Sequence, residues 1–252
     1  AADDAERAAS RAARLLAELH QVDGRLRRVS RNGRVGEPGG VLEDYGAVAE
    51  AFCAMHQATG DGVWLERARA LLDTATDRFA APGGGYFDTA DDAEPLFSRP
   101  ADPTDNATPS GMTSLAMALT SYAALAGSAP HREKATAALA GLSTVVAGHA
   151  RFTGWACAVA EGHLAGPLEI AVAVPDGHDQ NTDPLVRTAR RTGSPGAVVV
   201  VGEPDRPGVP LLADRGLVEG RPTAYVCRDF SCDLPVIEPA DLGKQIGVSV
   251  VA

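Results

Sequence analysis

The apolar period of this chain changes once, near Gly166, and that change limits what the chain can fold into. Before it, apolar residues recur at helical spacing: Leu15, Leu16 and Leu19, then Val48, Phe52 and Met55, then Leu65, Ala68, Leu71, Leu72 and Ala75. After it come short apolar runs, Leu168–Val174 and Ala197–Val201, with the length and composition of strands. The expectation is a mainly α chain, with helical hairpins over 1–165 and a small α/β subdomain over 166–252.

Within the first part the pattern predicts six helices. The first carries Leu15 to Leu19 and is followed by a polar, glycine-rich loop from Gln21 to Gly40. Helices over Glu43–Thr59 and Val63–Phe79 flank a stop signal that contains Gly60 and Gly62. A second long loop, Ala81–Asn106, precedes a helix start in which Thr108 is the expected cap and Pro109 the first helical residue. That helix runs to Ala126, and His131–His149 and Phe152–Leu164 complete the set. In the second part a strand, a helix capped by Asp183 and a further strand form a β-α-β unit, which implies parallel pairing. Ala224–Cys227 is a third strand, Pro239–Ile246 a short helix, and the tail Gly247–Ala252 a candidate strand.

Aromatic residues make up only 5% of the chain, so Ala, Val and Leu must fill the core, which favours closely packed helices. A formal net charge of −10 repels phosphate backbones and excludes a nucleic-acid binder. No apolar run approaches the roughly 20 residues that span a bilayer. Ala1–Arg14 is charged and helical in pattern, unlike a signal peptide. A soluble cytoplasmic protein is expected. No phosphate loop or G-x-G-x-x-G is present, so no cofactor is implied. The six histidines form no short ligand motif, and no metal site is expected. Cys227 and Cys232 have four residues between them, not the two of a redox motif. Free thiols are the main reading for the cysteines, with a disulfide or a metal as alternatives.

The densest polar stretch is Gly83–Glu94, where Asp88, Asp91 and Asp92 follow Tyr86 and Phe87. Aromatic faces stack on sugar rings and carboxylates bind hydroxyls or act as general acid and base, so these three aspartates are the catalytic candidates. Glu43, Asp44 and Tyr45 at a helix start, Tyr86, and Asp105 with Asn106 before the next helix start are the substrate-binding candidates. Each also has a structural reading, since acids at a helix N-terminus suit its dipole and aspartates satisfy turn backbone.

Gly84–Asp92, Arg99-Pro100 and Pro103–Gly111 together resemble the YyaL-like thioredoxin-domain-containing proteins. Leu42–Tyr45, Gly166–Ile170 and Ala224–Cys227 with Cys232 beyond agree with that family, in order along nearly the whole chain. The resemblance implies an N-terminal thioredoxin-like domain followed by a six-hairpin toroid similar to N-acylglucosamine 2-epimerases and glycosidases. This chain then corresponds to the C-terminal part, a partial α/α toroid that lacks the thioredoxin-like domain. One departure is Met112, where the family tends to place Asn after Ser-Gly. Two functions follow as expectations: a carbohydrate-related cavity, inactive in this part alone, with a sugar as ligand; or a non-catalytic scaffold for the thioredoxin-like domain. An incomplete toroid also implies self-association, as a homo-oligomer and most simply a dimer.

Overall fold

The computed structural model describes residues 2–94 and 97–249, and about half of them are helical. Helix α1 (Ala2–Leu15) runs on into a π-helical turn over Leu16–His20. The stretch expected as plain loop then folds into two small hairpins, β1 (Gln21–Val22) with β2 (Arg25–Leu26), and β3 (Ser30–Arg31) with β4 (Arg34–Val35). Asp23-Gly24 and Asn32-Gly33 close them at positive φ. Those dipeptides are the strongest short hairpin signal, but two-residue strands are too short to show a period.

Helices α2 (Leu42–Thr59), α3 (Gly62–Arg78), α4 (Gly111–Ala126), α5 (Ala129–Gly148) and α6 (Gly154–Ala165) follow. Gly60 ends α2 in a left-handed conformation, and the Asp61 carboxylate caps α3 by accepting from the Val63 amide. Helix α4 starts two residues later than the Thr108-Pro109 signal predicts. Ser110 is the cap, with its hydroxyl accepting from the Thr113 amide at 3.2 Å. The cause is Asp105, whose carboxylate takes the Ser110 amide and holds the preceding residues as loop.

The spine of the helical part is α2 against α4. A Cβ at Gly46 would lie 2.5 Å from the Ser114 backbone, so the helices touch at backbone distance there. Tyr45, Phe52, Phe79, Leu71, Leu72, Leu115 and Leu119 fill the space between α2, α3 and α4 and are fully buried. Met112 is also buried, in a smaller cluster with Ala138, Leu142 and Ala156 that joins α4 to α5 and α6.

The second part is a four-stranded sheet of order β6-β5-β7-β8: β5 (Glu169–Ala173), β6 (Val198–Gly202), β7 (Thr223–Arg228) and β8 (Ser231–Cys232). Strands β5 and β6 are parallel with Glu169 opposite Val198, and β7 runs antiparallel to β5. Helix α7 (Pro184–Ala189) is capped by Asp183 as expected, and α8 (Pro239–Ile246) keeps its expected bounds. Both cover one face of the sheet, where Ile170, Val172, Leu185, Val186, Leu242 and Ile246 pack together. On the other face Ala171, Val198 and Val200 join the helical core. The Gln57 side chain on α2 accepts from the Val199 amide at 2.9 Å. Every residue of β5 is buried, as a strand covered on both faces must be.

Two further expectations need correction. Residues 247–249 form no strand, and the rest of that candidate lies outside the described residues. Cys227 and Cys232, read mainly as free thiols, are joined by a disulfide, because β7 and β8 set them directly opposite each other. Cys53 is a buried free thiol and Cys157 an exposed one.

Candidate functional site

The long loop between α3 and α4 passes over the N-termini of α2 and α4, and its backbone is fixed there. The Leu42 amide donates to the Asp88 carbonyl at 3.0 Å, and the Asp88 amide to the Pro100 carbonyl at 2.7 Å. The two helix N-termini lie close together, since a Cβ at Gly111 would meet the Glu43 amide nitrogen at 3.2 Å. Between them is a cleft of about 180 Å³, lined by Glu43, Asp88, Asp102, Thr104 and Asn106 among others. Asp88 accepts from the Asp102 amide at 2.9 Å. Asp102 accepts from both the amide and the hydroxyl of Thr104, which hold its carboxyl below the usual range. The positive ends of two helices also favour acids here.

A second, wider cleft of about 730 Å³ lies between the β1–β2 hairpin and residues 89–94. Arg25 crosses it with a bidentate pair to Asp92, at 2.5 and 2.8 Å, and donates its Nε to the Tyr45 hydroxyl at 3.1 Å. The guanidinium lowers the Asp92 carboxyl, and the carboxylate in turn raises the guanidinium.

The candidate residues therefore fall into four groups. Glu43, Asp88 and Asn106 face the small cleft, and Asp92 faces the wide one. Asp91 is exposed beside the end of α3, 3.5 Å from Arg78. The remaining four have structural duties. Asp44 accepts from the Val41 amide at 2.8 Å as part of the α2 cap and pairs with Arg28. Tyr45 is fully buried, and its hydroxyl accepts from the Leu26 amide at 3.1 Å, anchoring the first hairpin. Tyr86 is half-buried against the Met112 cluster, and that burial pushes its phenol up. Asp105 is buried and takes the amides of Ser110 and Ala156, at 2.9 and 3.0 Å, so it ties the start of α4 to α6.

Asp102, Thr104 and Arg25, with Arg27 and Glu37 at the wide cleft, are polar cleft residues that sequence reasoning passed over. The Asp-Pro-Thr spacing at 102–104 is a local aspartate turn signal and could have located the first two. Nothing in the sequence pairs Arg25 with Asp92, 67 residues away. Among the described residues, no group of three or more His, Cys, Asp or Glu side chains is placed to hold a metal ion. Nor is any helix of the described residues long and apolar enough to cross a membrane.

No protein-family model matches the chain. It is similar to spermatogenesis-associated protein 20 of Homo sapiens, 28% identical over an alignment of 219 positions that covers 82% of this chain. The proteins of the same name from Mus musculus and Rattus norvegicus are each 27% identical over the same share. The chain spans about a quarter of the length of the curated relatives it matches, 27% in each case.

Proposed function

We propose that this chain belongs to a longer, thioredoxin-domain-containing protein of the cytoplasm. Its helices form part of an α/α toroid that handles carbohydrate, and this part binds sugar without turning it over alone. The observation that carries the reading is the cleft over the N-termini of α2 and α4, where Glu43, Asp88, Asp102, Thr104 and Asn106 gather acceptors and donors suited to hydroxyl groups. The aspartates there have backbone partners that fix their orientation, which is what recognition of a polyol needs. The resemblance to YyaL-like proteins supports the toroid, and the likeness to spermatogenesis-associated protein 20 supports a longer parent.

Isothermal calorimetry with mono-, di- and N-acetylated sugars tests this. Heat released by at least one sugar, and lost in Asp88→Asn with thermal stability retained, is the expected result. No heat from any sugar, on this chain or on the whole parent, overturns it.

One observation favours a second reading, a non-catalytic scaffold that supports a thioredoxin-like domain or pairs with its own copy. Helix α6 buries Ala156 and Gly162 but leaves Trp155 and Leu164 exposed, and Phe152 just before it is exposed too. Trp155 and Phe152, three residues apart at the start of the helix, give exposed apolar surface that a contact would cover, while Leu164 lies on the opposite side. Light scattering at high concentration separates the cases, since a monomer throughout counts against self-association.

A further inference from the structure

A polar cluster that neither cleft uses lies where the sheet meets α4 and α5. The register of β7 and β8 sets Cys227 opposite Cys232, bonded as a disulfide, with Cys227 buried and Cys232 exposed. Asp229 and Phe230 turn the chain between them, at φ of 52° and 59°. The turn is fixed to the rest of the molecule. The Phe230 amide donates to the buried Glu169 carboxylate at 2.8 Å, and Asp229 pairs with Arg132 of α5. The Phe230 ring sits so close to Gly127 that a Cβ there would come within 2.8 Å of it.

Arg215 lies under this turn. It is only 7% exposed, and its Nη2 is 3.2 Å from the sulfur of Cys227 and 3.2 Å from that of Cys232. Nη1 donates to the Leu211 carbonyl, and Nε is buried without a partner among the described residues. The guanidinium carbon is 5.7 Å from the Phe230 ring centre. Disulfide sulfurs are weak acceptors, so the oxidised pair offers this buried cation little in return for its lost hydration. A thiolate in the same place accepts a charge-assisted hydrogen bond. The arrangement therefore suits the reduced pair as well as the bonded one.

We propose that Cys227–Cys232 is a thiol–disulfide exchange site whose co-substrate is a dithiol reductant, with Arg215, 3.2 Å from both sulfurs, as the positioning residue that stabilises a thiolate on either cysteine. The reductant's thiolate attacks Sγ of exposed Cys232. The S–S bond breaks, and its electron pair leaves on Cys227 as a thiolate beside Arg215. The reductant's second thiol loses its proton to solvent and attacks the mixed disulfide. Cys232 is released as a thiolate, and the reductant departs as a disulfide. The chain has gained two electrons, and two protons once both thiols are neutral. Charged and titratable groups around the pair are Arg215 and its neighbour Asp214, Glu169 of β5, Tyr225 and Arg228 of β7, Asp229 of the turn, and Arg132 of α5. Glu169 opposes Arg215, but its own carboxyl is pushed up by burial, which weakens that opposition.

The test uses the whole chain in dithiothreitol buffers of graded oxidised-to-reduced ratio, with acid quenching, alkylation and peptide mass spectrometry. Reversible reduction with an unchanged circular dichroism spectrum is expected. In the reduced chain at pH 7, iodoacetamide should label Cys232 faster than Cys157, the exposed free thiol that serves as internal reference. Arg215→Gln should slow Cys232 labelling by about tenfold, and Arg215→Lys should restore most of the rate. Reduction only after the fold is lost overturns the proposal, as does an Arg215→Gln rate equal to wild type. If Arg215→Gln does not fold, the wild-type pH profile decides. A Cys232 midpoint below that of Cys157 supports the site, and an equal one rejects it.

Discussion

The acids around the N-termini of α2 and α4 and two charges enclosed elsewhere, Glu50 between α2 and α4 and Arg215 beneath the β7–β8 turn, are held in opposite ways. In the first region nearly every carboxylate has a backbone amide or a guanidinium as its partner: Asp44 has Val41, Asp88 has Asp102, Asp92 has Arg25, and Asp105 has Ser110 and Ala156. Of the two enclosed charges, Glu50 on α2 has one enclosed oxygen without a partner among the described residues, and Arg215 one such nitrogen. A satisfied acid organises a loop and costs stability when removed. An unsatisfied one costs stability while it is charged, so its removal is neutral or favourable and its protonation state becomes adjustable.

Asp105→Ala is the strongest way to break this contrast. It strands two buried amides at once and unties α4 from α6, so a loss of about 3 kcal/mol is expected in urea unfolding. A loss below about 1 kcal/mol means that water replaces the carboxylate, and that the first region is less closed than its hydrogen bonds imply.

Glu50→Gln tests the other side. Ser121 donates to one oxygen of Glu50 at 3.1 Å, but burial dominates and pushes the carboxyl from 4.5 up to about 7. Between those two values the folded chain keeps the proton and the unfolded chain releases it. Stability must therefore fall as pH rises from 4.5 to about 7, and this contribution is flat above that. Glutamine has the same shape and never ionises, so the variant should exceed wild type by about 3 kcal/mol at pH 8 and match it near pH 4. Thermal melts across that range read the difference. Equal melting temperatures at pH 8 would show that Glu50 finds a partner in solution.

How far the sequence exposed these features depends on the range of the interaction. Caps and short helices are local, so Asp183-Pro184 and Pro239–Ile246 fall where their residues predict. Helix α4 starts late because Asp105 recruits the Ser110 amide, a competition that cap preferences alone do not contain. The disulfide was hidden for a related reason. Its register depends on left-handed Asp229 and Phe230, and Asp-Phe is not a turn signal of the Asn-Gly kind. Of the candidate site, the sequence located the loops that reach the α2 and α4 N-termini. It could not separate Asp88 at the cleft from Asp105 inside the core, because both are aspartates in a polar loop and only the fold decides which amides they meet.

Arg25→Ala is expected to have a smaller effect, about 1 kcal/mol, from the lost Asp92 pair and the lost contact to the Tyr45 hydroxyl. The pair is partly exposed, so rising salt should shrink the difference between variant and wild type. A salt-independent loss of the same size would assign the effect to the hairpin's anchoring on Tyr45 instead.

Asp91→Asn sits at the small end and sharpens the comparison most cheaply. Its carboxylate lies 3.5 Å from Arg78, both side chains are about half exposed, and the pair faces neither cleft. Such pairs contribute little because holding two solvated side chains together costs nearly what the attraction returns. A change within about 0.5 kcal/mol is expected in urea unfolding, with sugar binding, if present, unaltered. The neighbouring Asp88 gives the contrast: asparagine keeps an oxygen that can accept from the Asp102 amide, so Asp88→Asn should act on binding through the small cleft while leaving stability nearly the same. Loss of binding from Asp91→Asn equal to that from Asp88→Asn would place the ligand across the loop's outer edge, and the cleft over the two helix N-termini would no longer be the site.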